Sequence, residues 1–165
     1  GSTHTGKTLL AQRLLERHGA PYLSIDHLKM GLIRSGMCPL TPESTDEALT
    51  AVLWPVVREI VKTAVENGQS LTVEGCYIPF NWREDFDASC LPHIRFLCLV
   101  FSEAYIRTRF DTIQTHANAI ERRKDDSFCT MELLLAENRR NLEACRRRGL
   151  PYYLIDGPYA PPLDW

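Results

Sequence analysis

The sequence lacks the features that mark membrane-spanning, nucleic-acid-binding and secreted proteins. Its longest apolar run, Phe96 to Phe101, is far shorter than the roughly 20 residues needed to cross a bilayer, and no signal-peptide pattern opens the chain. The 19 lysines and arginines nearly balance the 21 aspartates and glutamates, so the net charge of -2 gives no global basic field that would attract DNA or a membrane surface. We therefore expect a cytoplasmic protein without a nucleic-acid or membrane partner.

Cysteine pairs at metal-binding spacing are also missing. The six cysteines include no C-x-x-C pair, which argues against a zinc ribbon and a dithiol redox motif and favours reduced thiols packed as small apolar groups. No repeat of fixed period and no low-complexity tract is present. With 165 residues, 44% of them hydrophobic and 24% charged, the chain fits one folded domain over 1–165. The cysteines are Cys38, Cys76, Cys90, Cys98, Cys129 and Cys145.

Segments with strand character alternate with segments of helical periodicity. This alternation predicts a three-layer α/β protein, in which right-handed crossovers build a parallel sheet with helices on both faces. Thr41 is the predicted N-cap of the longest helix, which Pro55 should kink or split. The polar segment 111–127 is expected to form a lid-like excursion. Predicted helices cover about 7–18, 27–35, 41–65, 102–114 and 130–148, and predicted strands cover 22–26, 71–75, 94–101 and 152–156.

The opening of the chain matches the phosphate-binding pattern G-x-x-x-x-G-K-[ST] at every fixed position and leads directly into a helix. In such a loop the glycines let successive backbone N–H groups point at phosphate oxygens. The helix dipole and Lys7 add positive potential, and the hydroxyl of Thr8 can ligate Mg²⁺. His4 is expected to contribute through its backbone. The predicted nucleotide-binding residues are Gly1, Thr3, His4, Thr5, Gly6, Lys7, Thr8 and Leu9.

A loop of this kind normally follows a buried strand, and no strand pattern stands before Gly1 in the sequence. Either the protein's own first strand precedes Gly1, or Gly1 and Ser2 are a cloning remnant that completes the pattern by accident. We favour the first explanation, which predicts a sheet without its middle strand in this chain.

Acidic residues at predicted strand ends are the candidates for the acceptor side of a phosphoryl transfer, because ligands bind beyond the carboxyl ends of parallel strands. Asp26 could accept the proton of an attacking hydroxyl, or it could act as a helix N-cap. Glu74 could hold Mg²⁺ or orient the acceptor, or it could be an ordinary acid in a strand-end turn. Asp156, before Gly157, is better explained by turn chemistry.

Transfer of a phosphoryl group also needs cations that match its charge. Arg107 follows the apolar strand on the next predicted helix, and Arg123 lies in the lid-like segment, where closure could bring it onto the phosphates and expel water. The predicted catalytic set is therefore Lys7, Asp26, Glu74, Arg107 and Arg123. Further candidate arginines are Arg34, Arg109 and Arg122.

Taken together, these residues resemble the adenylate-kinase-like branch of P-loop kinases, which includes nucleoside monophosphate kinases, shikimate and gluconate kinases and zeta-toxin-type kinases. The resemblance covers most of the chain and rests on the Gly1–Thr8 loop, Asp26, Glu74 with Gly75, and the helix of Arg107 with the segment that follows it. The stretches 22–29 and 73–79 are also similar to small bacterial proteins labelled 2-phosphoglycerate kinase or ATPase.

The resemblance implies a sheet ordered 2-3-1-4-5, ATP and Mg²⁺ as cofactors, and an acceptor site near Asp26 and Glu74. The chain departs from the pattern because no apolar run of four residues ends in a metal-binding aspartate, so the metal ligand beyond Thr8 stays open. We expect an ATP-dependent transfer to a hydroxyl or phosphorylated metabolite. A nucleoside monophosphate kinase and a non-catalytic nucleotide-sensing module are the alternatives, and neither the acceptor nor the oligomeric state can be read from these motifs.

Overall fold

The computed structural model describes residues 1–116, 120 and 128–164. Helices and strands alternate along this part of the chain, which confirms a mixed α/β protein. The helices are α1 (Lys7–His18), α2 (Ile25–Arg34), α3 (Asp46–Glu66), α4 (Glu103–Thr115) and α5 (Met131–Arg148), with short 3-10 helices at Trp82–Asp85 and Leu91–His93. The strands are β1 (Tyr22–Ser24), β2 (Thr72–Glu74), β3 (Cys98–Phe101) and β4 (Tyr152–Ile155).

The described strands form two parallel pairs. β1 pairs with β2, so that Ser24 lies opposite Glu74, and β3 pairs with β4, so that Phe101 lies opposite Ile155. In the predicted order 2-3-1-4-5, strand 1 is the strand expected before Gly1, so β1 to β4 correspond to strands 2 to 5. The two observed pairs, 2-3 and 4-5, are neighbours in that order. The complete order and the number of layers stay predictions, because the described pairing defines these two adjacencies only.

The chain divides into two compact units, and the boundary falls inside α1. The first unit comprises Gly1–Arg13 and Phe96–Trp165, and the second comprises Leu14–Arg95. The single domain over 1–165 stays a prediction.

The core of the first unit is built around β3, whose four residues are all buried; β3 pairs with β4 and packs against α5, which also packs against α4. Asn138 of α5 joins helix to strand, because its Oδ1 accepts from the Phe101 N–H at 2.8 Å and its Nδ2 donates to the Leu134 carbonyl at 2.8 Å. Both ends of α5 match the sequence signals: Thr130 accepts from the Leu133 N–H at the start, and Gly149 takes φ +60 at the end.

The core of the second unit lies between the β1–β2 pair, α2 and α3. Gly75, directly after β2, lets Ile25 pack closely, because a Cβ at this position would lie 2.9 Å from the Cβ of Ile25. On the far side of α3, Asp85 accepts from the Trp54 indole N–H at 2.8 Å and from Arg58 at 3.1 Å. These contacts fasten α3 to the 3-10 helix that contains Asp85.

One expectation about the longest helix is wrong, and another is wrong in part. The N-cap of α3 is Thr45, whose hydroxyl accepts from the Ala48 N–H at 3.3 Å. Thr41, four residues before Thr45, forms a separate turn with Ser44. Pro55 does not split the helix, which is continuous over Asp46–Glu66. Because proline has no N–H, the carbonyl of Ala51 loses its usual partner in the helix. Both residues are exposed, so water can hydrogen-bond to this carbonyl.

Strand ends and the lid-like segment also differ from expectation. The strand predicted from residue 94 begins only at Cys98, and the strand predicted to end at Asp26 ends at Ser24, since α2 begins at Ile25. Of the segment 111–127, the first five residues continue α4 to Thr115, so the helix ends one residue later than predicted. Residues 117–119 and 121–127, with Arg122 and Arg123, lie outside the described residues.

The state of the thiols agrees with the prediction from the sequence. All six cysteines are free thiols, and all but Cys76 are buried, as expected for small apolar groups. Among the described helices, none is long and apolar enough to cross a membrane.

Candidate phosphate-binding site

The segment Gly1–Gly6 turns sharply before it enters α1. His4 and Gly6 have positive φ angles of 63° and 75°, whereas Thr5 between them does not. Alternation of left-handed residues with others makes successive N–H groups point to one side, which is the geometry of an anion-binding nest. A left-handed histidine costs about 1 kcal/mol or more, so contacts around His4 must hold it in place.

Polar contacts close this loop on itself. The carbonyl of Ser2 accepts from the Thr5 hydroxyl at 2.9 Å and from the Lys7 ammonium at 2.7 Å. Ser2 and Thr5 are 3% and 1% exposed, so these are buried and satisfied groups. The Lys7 side chain therefore folds back onto the loop, and its ammonium adds positive charge there.

At both glycines of the pattern, neighbouring atoms leave no room for a side chain. A Cβ on Gly1 would collide with the carbonyl oxygen of Leu99 in β3. A Cβ on Gly6 would lie 2.8 Å from ring atoms of Tyr159, which belongs to the segment after β4. The Tyr159 hydroxyl donates to the Gly6 carbonyl at 2.6 Å, and the same carbonyl accepts the Leu10 N–H at 2.9 Å.

The loop also has contacts with side chains of the first unit that the sequence did not indicate. The Thr3 N–H donates to the Glu137 carboxylate at 3.4 Å, and the His4 Nδ1 lies 2.9 Å from the Thr3 hydroxyl and 3.5 Å from the Cys129 sulfur. These contacts account for the strained conformation of His4. More than 120 positions separate Cys129 and Glu137 from the loop along the chain, so no local pattern could have revealed them.

The acidic candidate Asp26 lies in the second unit, in the first turn of α2. Its Oδ1 accepts from the Lys29 ammonium at 2.6 Å, and Lys29 also donates to the Tyr77 hydroxyl at 3.0 Å. The Asp26 side chain is 46% exposed, whereas that of Lys29 is 13% exposed. The alternative interpretation of Asp26 as an N-cap is wrong, because α2 begins earlier and Ser24 takes that position.

The pKa values of Lys29 and Tyr77 are both raised, for different reasons. Burial acts to lower the pKa of Lys29, but the hydrogen bonds to Asp26 and Tyr77 outweigh it and raise the pKa above 10.5. Burial raises the pKa of Tyr77 above 10.0, although its contact with Lys29 opposes this. At neutral pH the cluster therefore contains an ammonium and a neutral phenol.

These shifts predict a loss of stability at high pH. A group whose pKa is raised by folding stabilises the fold below its unfolded pKa, and this contribution disappears as the pH rises through the folded pKa. We expect the free energy of unfolding to fall above about pH 10, and to fall less steeply in Lys29→Met, which retains the aliphatic stem. Urea unfolding at several pH values measures this, with Lys62→Met as the control. Equal slopes in the wild type and Lys29→Met would contradict the assignment.

Glu74 and Thr8 are the residues considered for a metal. Glu74, 7% exposed, ends β2 opposite Ser24, and Thr8 lies in the first turn of α1. Over the described ranges, no group of three or more His, Cys, Asp or Glu side chains is arranged to hold a metal ion. Mg²⁺ in phosphate-transfer sites is bound by one or two protein oxygens together with phosphates, so Thr8 next to the loop fits that requirement.

The candidate arginine Arg107 lies on the exposed face of α4. Its guanidinium donates to the Glu103 carboxylate at 3.0 and 2.7 Å, one helical turn away, and Arg139 of α5 reaches the other Glu103 oxygen at 3.4 Å. Its catalytic role stays a prediction. Asp156 accepts from the hydroxyl of Ser102, the N-cap of α4, which agrees with a structural role after β4.

Comparison with known proteins supports the fold class. The solved structure of a gluconokinase from Sinorhizobium meliloti 1021 is similar to this chain with a TM-score of 0.51 and 21% sequence identity, covering 98% of this chain and 80% of that one. No protein-family model and no curated protein matches the chain. The likeness shows a shared fold, and membership of the P-loop kinases stays a prediction. The adenylate-kinase-like branch stays a prediction.

Proposed function

We propose that this protein is a P-loop kinase that transfers the γ-phosphate of ATP to a small molecule carrying a hydroxyl or phosphate group. The observation that carries the proposal is the closed loop Gly1–Thr8, in which left-handed residues and the Lys7 ammonium converge at the start of α1. Backbone N–H groups, a helix dipole and a lysine at one point form a site for a polyphosphate. The fold shared with a gluconokinase is consistent with this activity.

Each residue of the proposed mechanism has a chemical task. The loop N–H groups bind the phosphate oxygens, and Lys7 stabilises the negative charge that spreads over the moving phosphoryl group. The Thr8 hydroxyl would help to hold Mg²⁺, which would neutralise negative charge on the phosphates. Glu74 is the second candidate for the metal or for orienting the acceptor.

Asp26 is the proposed base. Its proposed task is to take the proton that an acceptor hydroxyl loses as its oxygen bonds to phosphorus and the bond from phosphorus to ADP breaks. Lys29 holds Oδ1, whereas Oδ2 has no hydrogen-bond partner among the described residues. Since the side chain is 46% exposed, Oδ2 can receive a hydrogen bond from an acceptor hydroxyl.

An acceptor panel tests this function. The wild-type protein is mixed with Mg-ATP and separately with polyols, gluconate, phosphorylated hydroxy acids and the monophosphates AMP, CMP, GMP and UMP, and ADP release is compared with the rate in water alone. We expect one chemical class to raise the rate clearly above the water background and to gain phosphate by ³¹P NMR. A monophosphate as that acceptor would make the protein a nucleotide kinase. ATP binding without any stimulated turnover would favour the sensing module instead.

Replacing Gly6 tests the geometry of the loop. In Gly6→Ala the new methyl group meets the Tyr159 ring, so the loop must open, and we expect at least a tenfold loss of affinity for Mg-ATP by calorimetry. Gly19→Ala is the matched control, since Gly19 also has a positive φ, 67°, but nothing within 4 Å of its Cβ position. That control should lose about 1 kcal/mol of stability and keep its affinity. Equal affinities in both variants would refute the proposed loop geometry.

A further inference from the structure

Tyr159 contacts the phosphate loop although no part of the loop pattern includes it. It follows β4 in the segment that starts at Asp156, and the contact spans 153 positions of sequence. Its hydroxyl donates to the Gly6 carbonyl at 2.6 Å, and its ring closes off the space beside the Gly6 Cα. On the ring, the Arg13 guanidinium lies 5.3 Å from the centroid. Burial raises the pKa of Tyr159, so the phenol stays protonated and can donate this hydrogen bond at any physiological pH.

The consequence for a bound anion follows from the planarity of the peptide group. The carbonyl of Gly6 and the N–H of Lys7 belong to one peptide unit, and no cis peptide occurs among the described residues. In a trans peptide these two groups point in opposite directions, so a hydrogen bond that fixes the carbonyl also fixes the N–H. Donation to the carbonyl further polarises the amide and strengthens its N–H as a donor.

We propose that Tyr159 is a positioning residue of the phosphate loop, which aims the Lys7 amide at the bound polyphosphate by holding the Gly6 carbonyl. This inference rests on the proposed nucleotide binding and extends it to a residue outside the loop. The Tyr159 ring keeps Gly6 from shifting. A cation–π contact with Arg13 holds the ring in place. Tyr159 acts through the Gly6–Lys7 peptide and takes no direct part in the transfer.

Two other roles for Tyr159 predict different results for a substitution at this position. If its ring contacted the nucleobase, a substitution would weaken ATP binding but not the binding of inorganic triphosphate, which has no base. If Tyr159 only anchored the segment after β4, a substitution would lower thermal stability without changing the affinity of the folded protein. A positioning role weakens both polyphosphates by a similar factor.

The test is the variant Tyr159→Phe, which removes the hydroxyl and keeps the ring. Calorimetric titrations with Mg-ATP and with Mg-triphosphate are compared between the wild type, this variant and Tyr152→Phe, in which the same atom is removed from an exposed residue of β4. We expect Tyr159→Phe to raise both dissociation constants by about two- to tenfold, the range for a single hydrogen bond. Tyr152→Phe should leave both constants unchanged.

The inference would be overturned by unchanged constants in Tyr159→Phe, with or without a lower unfolding temperature, or by a loss confined to Mg-ATP. These binding measurements do not depend on turnover. If no acceptor is ever phosphorylated but the two polyphosphates lose affinity together, the kinase proposal fails and the positioning role stands. If transfer occurs and Tyr159→Phe binds both ligands like the wild type, the kinase proposal stands and the positioning role fails.

Discussion

Replacing Lys7 by alanine is expected to lower the rate of phosphoryl transfer by about a hundredfold or more, the usual cost of removing one group that stabilises transition-state charge. Two losses combine in this variant. The ammonium that balances the charge of the moving phosphoryl group disappears, and so does its hydrogen bond to the Ser2 carbonyl, 2.7 Å long, which helps to close the loop. The measurement is kcat/KM for ATP with the acceptor identified by the panel.

The matched control for this experiment is Lys62→Ala in α3. Lys62 pairs with Glu59 on the helix surface at 3.0 Å and has no part in the proposed mechanism, so its removal should leave kcat/KM near the wild-type value. Its cost in stability should be at most about 1 kcal/mol, as for exposed ion pairs in general. Circular dichroism of both variants checks that they fold. A folded Lys7→Ala protein with wild-type turnover would be incompatible with a phosphate site at this loop.

Asp26→Asn is expected to lower kcat by about 10²- to 10⁴-fold, the range for loss of a general base, with a smaller effect on KM. Asparagine has nearly the same shape but cannot take the acceptor proton. The substitution also removes the anion that faces the largely buried Lys29 ammonium, so a lower unfolding temperature is expected beside the kinetic effect. Rates are therefore compared at a temperature where the variant is folded.

Asp85→Asn provides the control for this second experiment. It makes the same chemical change in the same unit, at an acid that binds Trp54 and Arg58 and has no proposed role in transfer. We expect it to reduce stability and leave kcat within a few-fold of the wild type. If Asp26→Asn retained the kcat of the wild type, Asp26 would have to be withdrawn as the base.

Local signals in the sequence predicted local structure well. The ends of α5 followed from Thr130 and Gly149, and the first helix from the pattern after Gly6, because caps and loop patterns act over a few neighbouring residues. The start of α3 was misplaced since Thr41 and Thr45 both offer a capping hydroxyl, and Thr41 forms a turn with Ser44 instead.

The contacts that shape the candidate site could not be predicted in the same way. Lys29 lies one turn after Asp26, but its second partner, Tyr77, is 48 positions away, and Tyr159 is 153 positions from Gly6. Such contacts depend on how strands and helices are arranged in space, which periodicity does not encode. The sequence therefore identified the loop and the candidate acid, and the structure added the side chains that hold them.

The most direct test of the account is a calorimetric titration of the wild-type protein with Mg-ATP. Binding to the loop Gly1–Thr8 should give one site per chain with a dissociation constant between about 1 μM and 1 mM, the usual range for enzyme substrates. Mg-triphosphate should compete for the same site, and Lys7→Ala should bind both ligands much more weakly. Absence of binding by a folded wild-type protein, or equal binding by Lys7→Ala, would contradict a polyphosphate site at the start of α1.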